Sequence, residues 1–210
     1  MRGWKIVLAG GALILGVSLA AGCASSTRVT NEWALPDFAT PMRSMLVIAM
    51  KSNDANRRIM EDSFVRELQK HGVAATASYS VWPSALPDTD DVRQYVRDNH
   101  INGVLVAVRE PTEQRQQLTP GYVSTEPRTY YSYWTGRYRT YFYNVEHEPV
   151  VETFRIVPHR IDVWQADAQG GQMVWTAQGR SLDPSSANDV SREVSKSIVP
   201  ELAKAGVIPQ

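Results

Sequence analysis

The residues that could do chemistry are sparse in this chain and form no catalytic pattern. The four histidines are His71, His100, His147 and His159. The sequence contains no G-x-S-x-G elbow, paired C-x-x-C, H-E-x-x-H or phosphate-cradling glycine loop. We therefore expect no enzymatic activity, no catalytic residue and no cofactor.

One local group of metal-ligand types occurs, Glu146-His147-Glu148. In an extended strand His147 points away from its two neighbours, so one ion would need further ligands from elsewhere in the chain. The group is more typical of a solvated strand end, and we expect no bound metal.

The most informative reactive residue is the only cysteine, Cys23, because of what precedes it. Arg2 and Lys5 lead into Ile6–Gly22, an uncharged run of 17 residues. A membrane-spanning helix needs about 20 apolar residues, whereas a secretory signal peptide has a shorter apolar core followed by small residues. The sequence predicts a signal peptide over residues 1–22. A short retained membrane anchor is the alternative.

The run ends in Leu19-Ala20-Ala21-Gly22-Cys23, which resembles the lipobox of bacterial lipoproteins. Alanine stands at position 20, where the family most often has leucine. The resemblance implies acylation of Cys23, palmitate included, and a mature chain that begins at this cysteine. A lone thiol in an exported protein forms no internal disulfide and needs its own explanation. An unmodified cysteine after ordinary signal cleavage is the alternative.

The residues directly after the cysteine resemble a membrane-sorting signal. Ala24 and Ser25 follow, with no aspartate at the second position. By resemblance to Gram-negative lipoproteins, this implies lipid anchoring in the outer membrane with the domain facing the periplasm.

Composition excludes some partner classes. Removal of 22 residues leaves 188 of the 210, with 20 basic and 22 acidic residues. This length suits one domain plus a tether. The slight acidity gives no global attraction to nucleic acid, and none is expected as a partner.

An aromatic segment with arginines is the strongest candidate for a binding surface. Residues 122–143 hold seven of the nine tyrosines, with Trp134 and Phe142, and their charges sum to +2. A hairpin that turns at Thr135-Gly136 would pair Tyr133 with Tyr138 and Tyr130 with Tyr141. This pairing leaves aromatic rings on both faces. The predicted partner-binding residues are Tyr131, Tyr133, Trp134, Arg137, Tyr138 and Tyr141.

Several readings of this segment stay open. The rings could be part of the core, or they could contact a protein partner, since tyrosine and arginine are enriched in interface hot spots. They could also stack on a glycan such as peptidoglycan, lie in the membrane interface, or stack on nucleic acid.

The remaining elements predict an α/β fold. After the lipidated cysteine and tether (23–44), a single domain spans 45–210, with an aromatic-rich insert over 112–149. Trp33 and Phe38 should pin the end of the tether to the domain. Strands over 45–50, 73–82 and 104–108, with helices over 55–71 and from residue 88 or 89, make two βαβ units and three parallel strands.

The second half predicts an antiparallel hairpin and a final helix. Residues 150–165 and 172–180 have strand composition, and a phase slip predicts a bulge or break at Val157–His159 around Pro158. Residues 185–204 predict a helix that Pro200 kinks or restarts. The expected fold is a mixed sheet with helices packed on it and an inserted aromatic hairpin or loop.

The segments MLVIAM, ANRRIMEDSFVRELQKHGV, SYSVWP, NGVLVAV and IDVWQADAQGGQMVW together resemble an uncharacterised group of small bacterial outer-membrane lipoproteins. Their layout is similar to the amino-terminal domain of TolB and to the periplasmic domain of the CsgG and LpoB kind. The resemblance covers most of residues 45–205. It implies an accessory or assembly role without catalytic residues. A peptidoglycan-binding module and a subunit of an oligomeric secretion or transport complex are the alternatives.

Overall fold

The computed structural model describes residues 27–36, 38, 40–166 and 171–210, and the elements below are those of this part of the chain. The strands are β1 (Thr27–Ala34), β2 (Ser44–Met50), β3 (Ala74–Ala77), β4 (Gly103–Arg109), β5 (Glu113–Thr119), β6 (Tyr122–Ser132), β7 (Arg137–His147), β8 (Val150–Gln165) and β9 (Gln172–Leu182). The helices are α1 (Asp54–Lys70), α2 (Ser78–Val81), α3 (Thr89–Asp98) and α4 (Ala187–Lys204).

Seven strands form the main sheet in the order β1-β9-β8-β4-β2-β3, with β5 added along β8. β2 pairs in parallel with both β3 and β4, while β4, β8, β9 and β1 follow one another antiparallel. β6 and β7 form a second sheet of two strands. The expected mixed α/β sheet with three parallel strands is confirmed.

Helices cover both faces of the sheet, which explains the continuous apolar runs in β2 and β4. On one face, Val47 lies in the larger core cluster with Phe64 of α1 and Ile198 of α4. On the other face, Leu46 packs in a smaller cluster with Val96 of α3.

The helix ends follow local sequence signals. The Asn53 side chain caps α1 by accepting the Asn56 N–H, at 2.8 Å. Gly72 takes a left-handed conformation (φ 71°) directly after α1. The Asp88 carboxylate caps α3, and the Ser186 hydroxyl caps α4. α4 continues through Pro200, so the proline does not end the helix.

The expectation of a flexible tether is wrong for residues 27–34. These residues form β1, which pairs antiparallel with β9 and covers its outer edge. The hydroxyls of Thr27 and Ser181 lie 2.8 Å apart in a buried hydrogen bond. Phe38 is half-buried and packs against the larger core cluster, whereas Trp33 is exposed. Polar composition misled the prediction because β1 is an edge strand in which only one of the eight residues is buried.

The second predicted strand is also shorter than expected. β3 ends at Ala77, and the next residues form the one-turn helix α2. The carboxylate of Glu61 accepts hydrogen bonds from the Ser78 hydroxyl (2.7 Å) and the Tyr79 N–H (2.8 Å). These bonds to α1 turn the chain away from the sheet at Ser78.

The predicted bulge or break at Val157–His159 is wrong for β8, because this strand runs through Pro158 in register with β9. The register shift lies instead between Val163 and Trp164. The Pro158 carbonyl accepts the Glu110 N–H at 3.0 Å, and Glu110 lies in the gap between β4 and β5. Since Pro158 faces this gap, its lack of an N–H costs no hydrogen bond to a neighbouring strand. The phase slip instead marks where β8 leaves β5 and joins β4.

Candidate functional site

The aromatic segment forms the outer half of one long hairpin. β5 continues into β6, and β7 continues into β8, with short breaks at residues 120–121 and 148–149. The same register joins both halves, from Glu113 opposite Ile156 to Ser132 opposite Arg137. We call residues 122–147 the distal ribbon. Each of its strands has 11 residues, so its length is about 35 Å at roughly 3.3 Å per residue.

The tip of the distal ribbon is a four-residue turn, Tyr133-Trp134-Thr135-Gly136. The Thr135 N–H donates to the Ser132 carbonyl at 3.2 Å, and Gly136 follows in the left-handed conformation (φ 59°). The predicted two-residue turn at Thr135-Gly136 is wrong, because such a turn requires positive φ at Thr135, a conformation that a β-branched residue resists.

The longer turn shifts the strand register by two residues from the predicted one. Tyr131, not Tyr133, lies opposite Tyr138, and Tyr130 lies opposite Arg139. A shift of two keeps every side chain on its predicted face. The rings of Tyr130 and Tyr141 therefore still meet, diagonally, with centroids 5.9 Å apart.

One face of the distal ribbon carries almost no charge, and we call it the neutral face. Near the tip the Tyr131 ring meets those of Tyr133 and Tyr138 edge-on, with centroids 5.3 and 5.2 Å apart. Farther down, the hydroxyls of Thr129 and Thr140 hydrogen-bond across the strands at 2.9 Å. From the pairing, the neutral face comprises Val123, Thr125, Pro127, Thr129, Tyr131, Tyr138, Thr140, Phe142, Asn144 and Glu146.

The opposite face combines tyrosines with arginines, and we call it the arginine face. Its arginines are Arg128, Arg137 and Arg139, all exposed, and none forms an ion pair within the described part of the chain. Its one carboxylate, Glu126, accepts the Tyr143 hydroxyl at 3.3 Å. Tyr122, Tyr130, Tyr141 and Tyr143 lie between the charges. The face has a net charge of +2 before His147 is considered.

The structure places all six predicted binding residues at or near the tip, but on different faces. Tyr131, Tyr133 and Tyr138 make the aromatic cluster of the neutral face, and the exposed fractions of Tyr133 and Tyr138 are 91% and 76%. Arg137 and Tyr141 lie on the arginine face. Trp134, in the turn, is 100% exposed. The reading of these rings as core is wrong, since they pack on each other and on no buried residue.

Sequence reasoning missed several residues of the same two faces. Arg128 and Arg139 extend the arginine face, and Phe142, which is 69% exposed, extends the neutral one. The signal was present in the alternation along each strand, because residues two apart share a face. Sorting each strand separately into alternate positions would have grouped the arginines, which stand at an even position in β6 and at odd positions in β7.

His147 is engaged within the distal ribbon. Its ring stacks on Tyr122 with centroids 4.3 Å apart, and its Nε2 lies 2.9 Å from the Ser124 hydroxyl. Over the described ranges, no group of three or more histidine, cysteine or acidic side chains is arranged to hold a metal ion. Cys23, the predicted lipidation site, lies outside the described residues, as does the predicted signal peptide. None of the described helices is both long and apolar enough to span a membrane.

Comparison with known proteins gives similarity in structure only. No protein-family model and no curated protein matches the chain. A PelC dodecamer from Paraburkholderia phytofirmans is 16% identical, with 88% of this chain and 99% of that chain covered and a TM-score of 0.46. A minor lipoprotein from Acinetobacter baumannii is 11% identical, with 76% and 94% covered and a TM-score of 0.28. A PDZ domain protein from Parabacteroides distasonis is 14% identical, with 83% and 36% covered and a TM-score of 0.38. No role is carried over from these likenesses.

Proposed function

We propose that this chain is a lipid-anchored envelope lipoprotein that binds a protein partner through the tip of its distal ribbon. Cys23 carries the lipid, and the domain faces the periplasm from the outer membrane. The protein acts as an accessory or assembly factor and performs no catalysis. The observation that carries the proposal is the exposure of the six tip residues, with Trp134 entirely in solvent.

The marginal stability expected of the distal ribbon by itself argues for a partner. An isolated two-stranded ribbon is marginally stable in water, and three strands or a packed helix are normally needed. Nearly every residue of β6 and β7 is exposed, on both faces. Contiguous exposed aromatic surface of this kind marks interaction sites in soluble proteins. A bound partner would cover the rings and stabilise the ribbon.

The two faces indicate the chemistry of that partner. Arg128, Arg137 and Arg139 form no ion pair among the described residues, so the arginine face suits a surface with exposed carboxylates. The neutral face, with its cluster around Tyr131, suits an apolar surface. Charge attraction sets the orientation and the association rate, and the buried rings supply most of the affinity.

Capture from crosslinked envelopes tests the proposal. Replacement of Tyr131, Tyr133, Trp134, Arg137, Tyr138 and Tyr141 by serine or alanine should abolish recovery of a partner. A matched control replaces Leu118, Val150 and Val151 by serine, since these exposed apolar residues lie in the inner half of the same hairpin. The control should leave recovery unchanged. Equal recovery with the six-residue variant would refute the contact surface.

Two further measurements separate the alternative partners. A glycan-binding module would sediment with purified peptidoglycan in the absence of other proteins, and the proposal expects it to stay in the supernatant. A subunit of an oligomeric secretion or transport complex would elute from gel filtration as a large assembly of this chain alone. The proposal expects a small species that grows only when the partner is added.

The anchor has its own test. Mass spectrometry of the mature protein should show a chain that begins at an acylated Cys23. A bare Cys23, or an intact leader, would contradict the proposed attachment and location without bearing on the ribbon contact.

A further inference from the structure

A second candidate site lies at the edge of the main sheet where the parallel strands end. A cavity of about 280 Å³ opens there. Ser52 lines it just after β2, and Arg109 lines it at the end of β4. In open α/β sheets, ligands bind in the crevice outside the carboxyl ends of the strands.

Two long helices begin at this cavity. Asn56, in the first turn of α1, and Ala187, the first residue of α4, both line it. The N-terminus of a helix carries a partial positive charge, and its first N–H groups point outward along the axis. Two such ends on one cavity favour an anion.

The side chains around the cavity also favour an anion. Arg109 and Arg155 line it, and no acidic side chain does. Arg109 is half-buried, and its guanidinium forms neither an ion pair nor a hydrogen bond with the described residues. Arg155 donates from Nη2 to the Pro184 carbonyl, which fixes its guanidinium beside the start of α4. A half-buried guanidinium without a counter-charge is costly unless a ligand supplies one.

A buried histidine completes the lining. His159 is only 3% exposed, and its Nδ1 makes no hydrogen bond of acceptable geometry in the part of the chain that the structure describes, although a contact with the Val157 backbone acts to raise the pKa of the ring. Burial, and next the charge of Arg109, lower the pKa of His159 to about 4. The ring is therefore neutral near pH 7, and it can donate one hydrogen bond without adding a third charge. An unsatisfied buried polar atom of this kind calls for a missing partner.

We infer that this cavity binds a phosphate group, either free or esterified in a small organic ligand. Arg109 and Arg155 face the phosphate oxygens, and α1 and α4, whose Asn56 and Asp189 N–H groups are already capped, supply their remaining first-turn N–H donors and a favourable dipole. The cavity holds the equivalent of about nine waters at roughly 30 Å³ each. It therefore has room for more than the bare anion. A lipid headgroup and a free phosphate share this chemistry.

Titration calorimetry of the full chain in detergent, near pH 7 in chloride buffer, tests the inference and separates these sources. The probes are glycerol 3-phosphate, as a soluble headgroup, and inorganic phosphate, each up to about 20 mM, enough to fill even a millimolar site. Saturable binding of glycerol 3-phosphate at least about 10-fold tighter than inorganic phosphate indicates an esterified ligand. Equal affinities indicate free phosphate, and both results support the site.

Variants identify the residues. Arg109→Gln should weaken binding at least about 10-fold, and Arg109→Lys by less, because lysine keeps the charge but loses the fork of donors. Arg139→Gln is the matched control, since Arg139 is an arginine without an ion pair on the distal ribbon. Asn56→Asp puts a carboxylate on the cavity wall at a helix position that favours acids, so it weakens binding without destabilising α1.

Three results would overturn the inference. The first is the absence of saturable heat with either probe. The second is unchanged affinity in Asn56→Asp, which decides the matter even if Arg109→Gln fails to fold. The third is an Arg139→Gln variant that loses as much affinity as the changes at the cavity.

Discussion

The buried carboxylate of Glu61 should be the most sensitive single position in the fold. It is 0% exposed, and its Oε1 accepts hydrogen bonds from the Ala49 N–H (3.0 Å) and the Ser78 hydroxyl (2.7 Å). Its Oε2 accepts the Tyr79 N–H at 2.8 Å. The Arg57 Nε, also buried, lies 3.1 Å from Oε1. One side chain thus joins α1 to β2 and to the start of α2.

The magnitude follows from what Glu61→Leu leaves behind. Removal of one partner of a buried ion pair costs about 3–5 kcal/mol. Two backbone N–H groups also lose their acceptor, at about 1–3 kcal/mol each. A domain of this size has a free energy of unfolding of about 5–15 kcal/mol. We expect a loss of at least about 4 kcal/mol, larger than for a change of any exposed charged residue in α1.

Urea unfolding followed by circular dichroism measures this loss. Arg57→Met alone should also be costly, but the double variant Arg57→Met/Glu61→Leu should lose at least about 2 kcal/mol less than the sum of the two single losses, because no charge is left unpaired. Asp54→Asn is the matched control, since Asp54 and Arg58 form an exposed pair of the same spacing on α1. It should cost less than about 1 kcal/mol. A loss below about 1 kcal/mol for Glu61→Leu, or strict additivity, would refute the reasoning.

Three further predictions concern β1, the cavity and the distal ribbon. Glu32→Ala removes the carboxylate that accepts the Trp175 Nε1–H at 3.0 Å, and should lower the free energy of unfolding by about 1 kcal/mol, whereas Glu32→Gln should retain most of it; equal losses contradict this. The pKa of His159 is lowered to about 4, so on acidification the unfolded chain takes up a proton before the folded chain does. The free energy of unfolding should therefore be unaffected by this residue above about pH 6.5, and it should fall by roughly 3 kcal/mol as the pH drops to 4. His159→Asn should lack this component of the pH dependence, and an unchanged slope in urea unfolding contradicts it. Gly136→Ala places a side chain at φ 59° and should speed tryptic cleavage in the distal ribbon. Because the ribbon unfolds locally, the midpoint of urea unfolding should not move. A shifted midpoint would show that the ribbon unfolds together with the core.

The parts of the fold that sequence predicted are those with strong local signals. The apolar runs of β2 and β4 and the extents of α1 and α3 depend on signals within a few residues, so they can be read directly. β1 was missed because an edge strand needs little apolar surface, and its place is set by β9, about 150 residues away. The turn into α2 was missed because it depends on Glu61.

In the candidate site, too, the locally encoded features were predicted and those that depend on the folded chain were not. The sequence predicted an aromatic hairpin and its most exposed residues, because tyrosine, tryptophan and arginine cluster locally. It did not predict the register, which depends on the backbone conformation of Thr135 and Gly136. The cavity at Arg109 could not be predicted at all. Its lining comes from four separate stretches of the chain, and only the folded sheet brings Ser52, Arg155 and Ala187 together.

The most direct test of the proposed contact surface is photo-crosslinking in intact cells. A photoreactive phenylalanine derivative would replace Trp134 at the tip, and in a second strain Leu118 in the inner half of the hairpin, which is also exposed. We predict a discrete adduct with a second protein from position 134 and none from position 118. No adduct from position 134, or the same adduct from both, would contradict a binding surface at the tip of the distal ribbon.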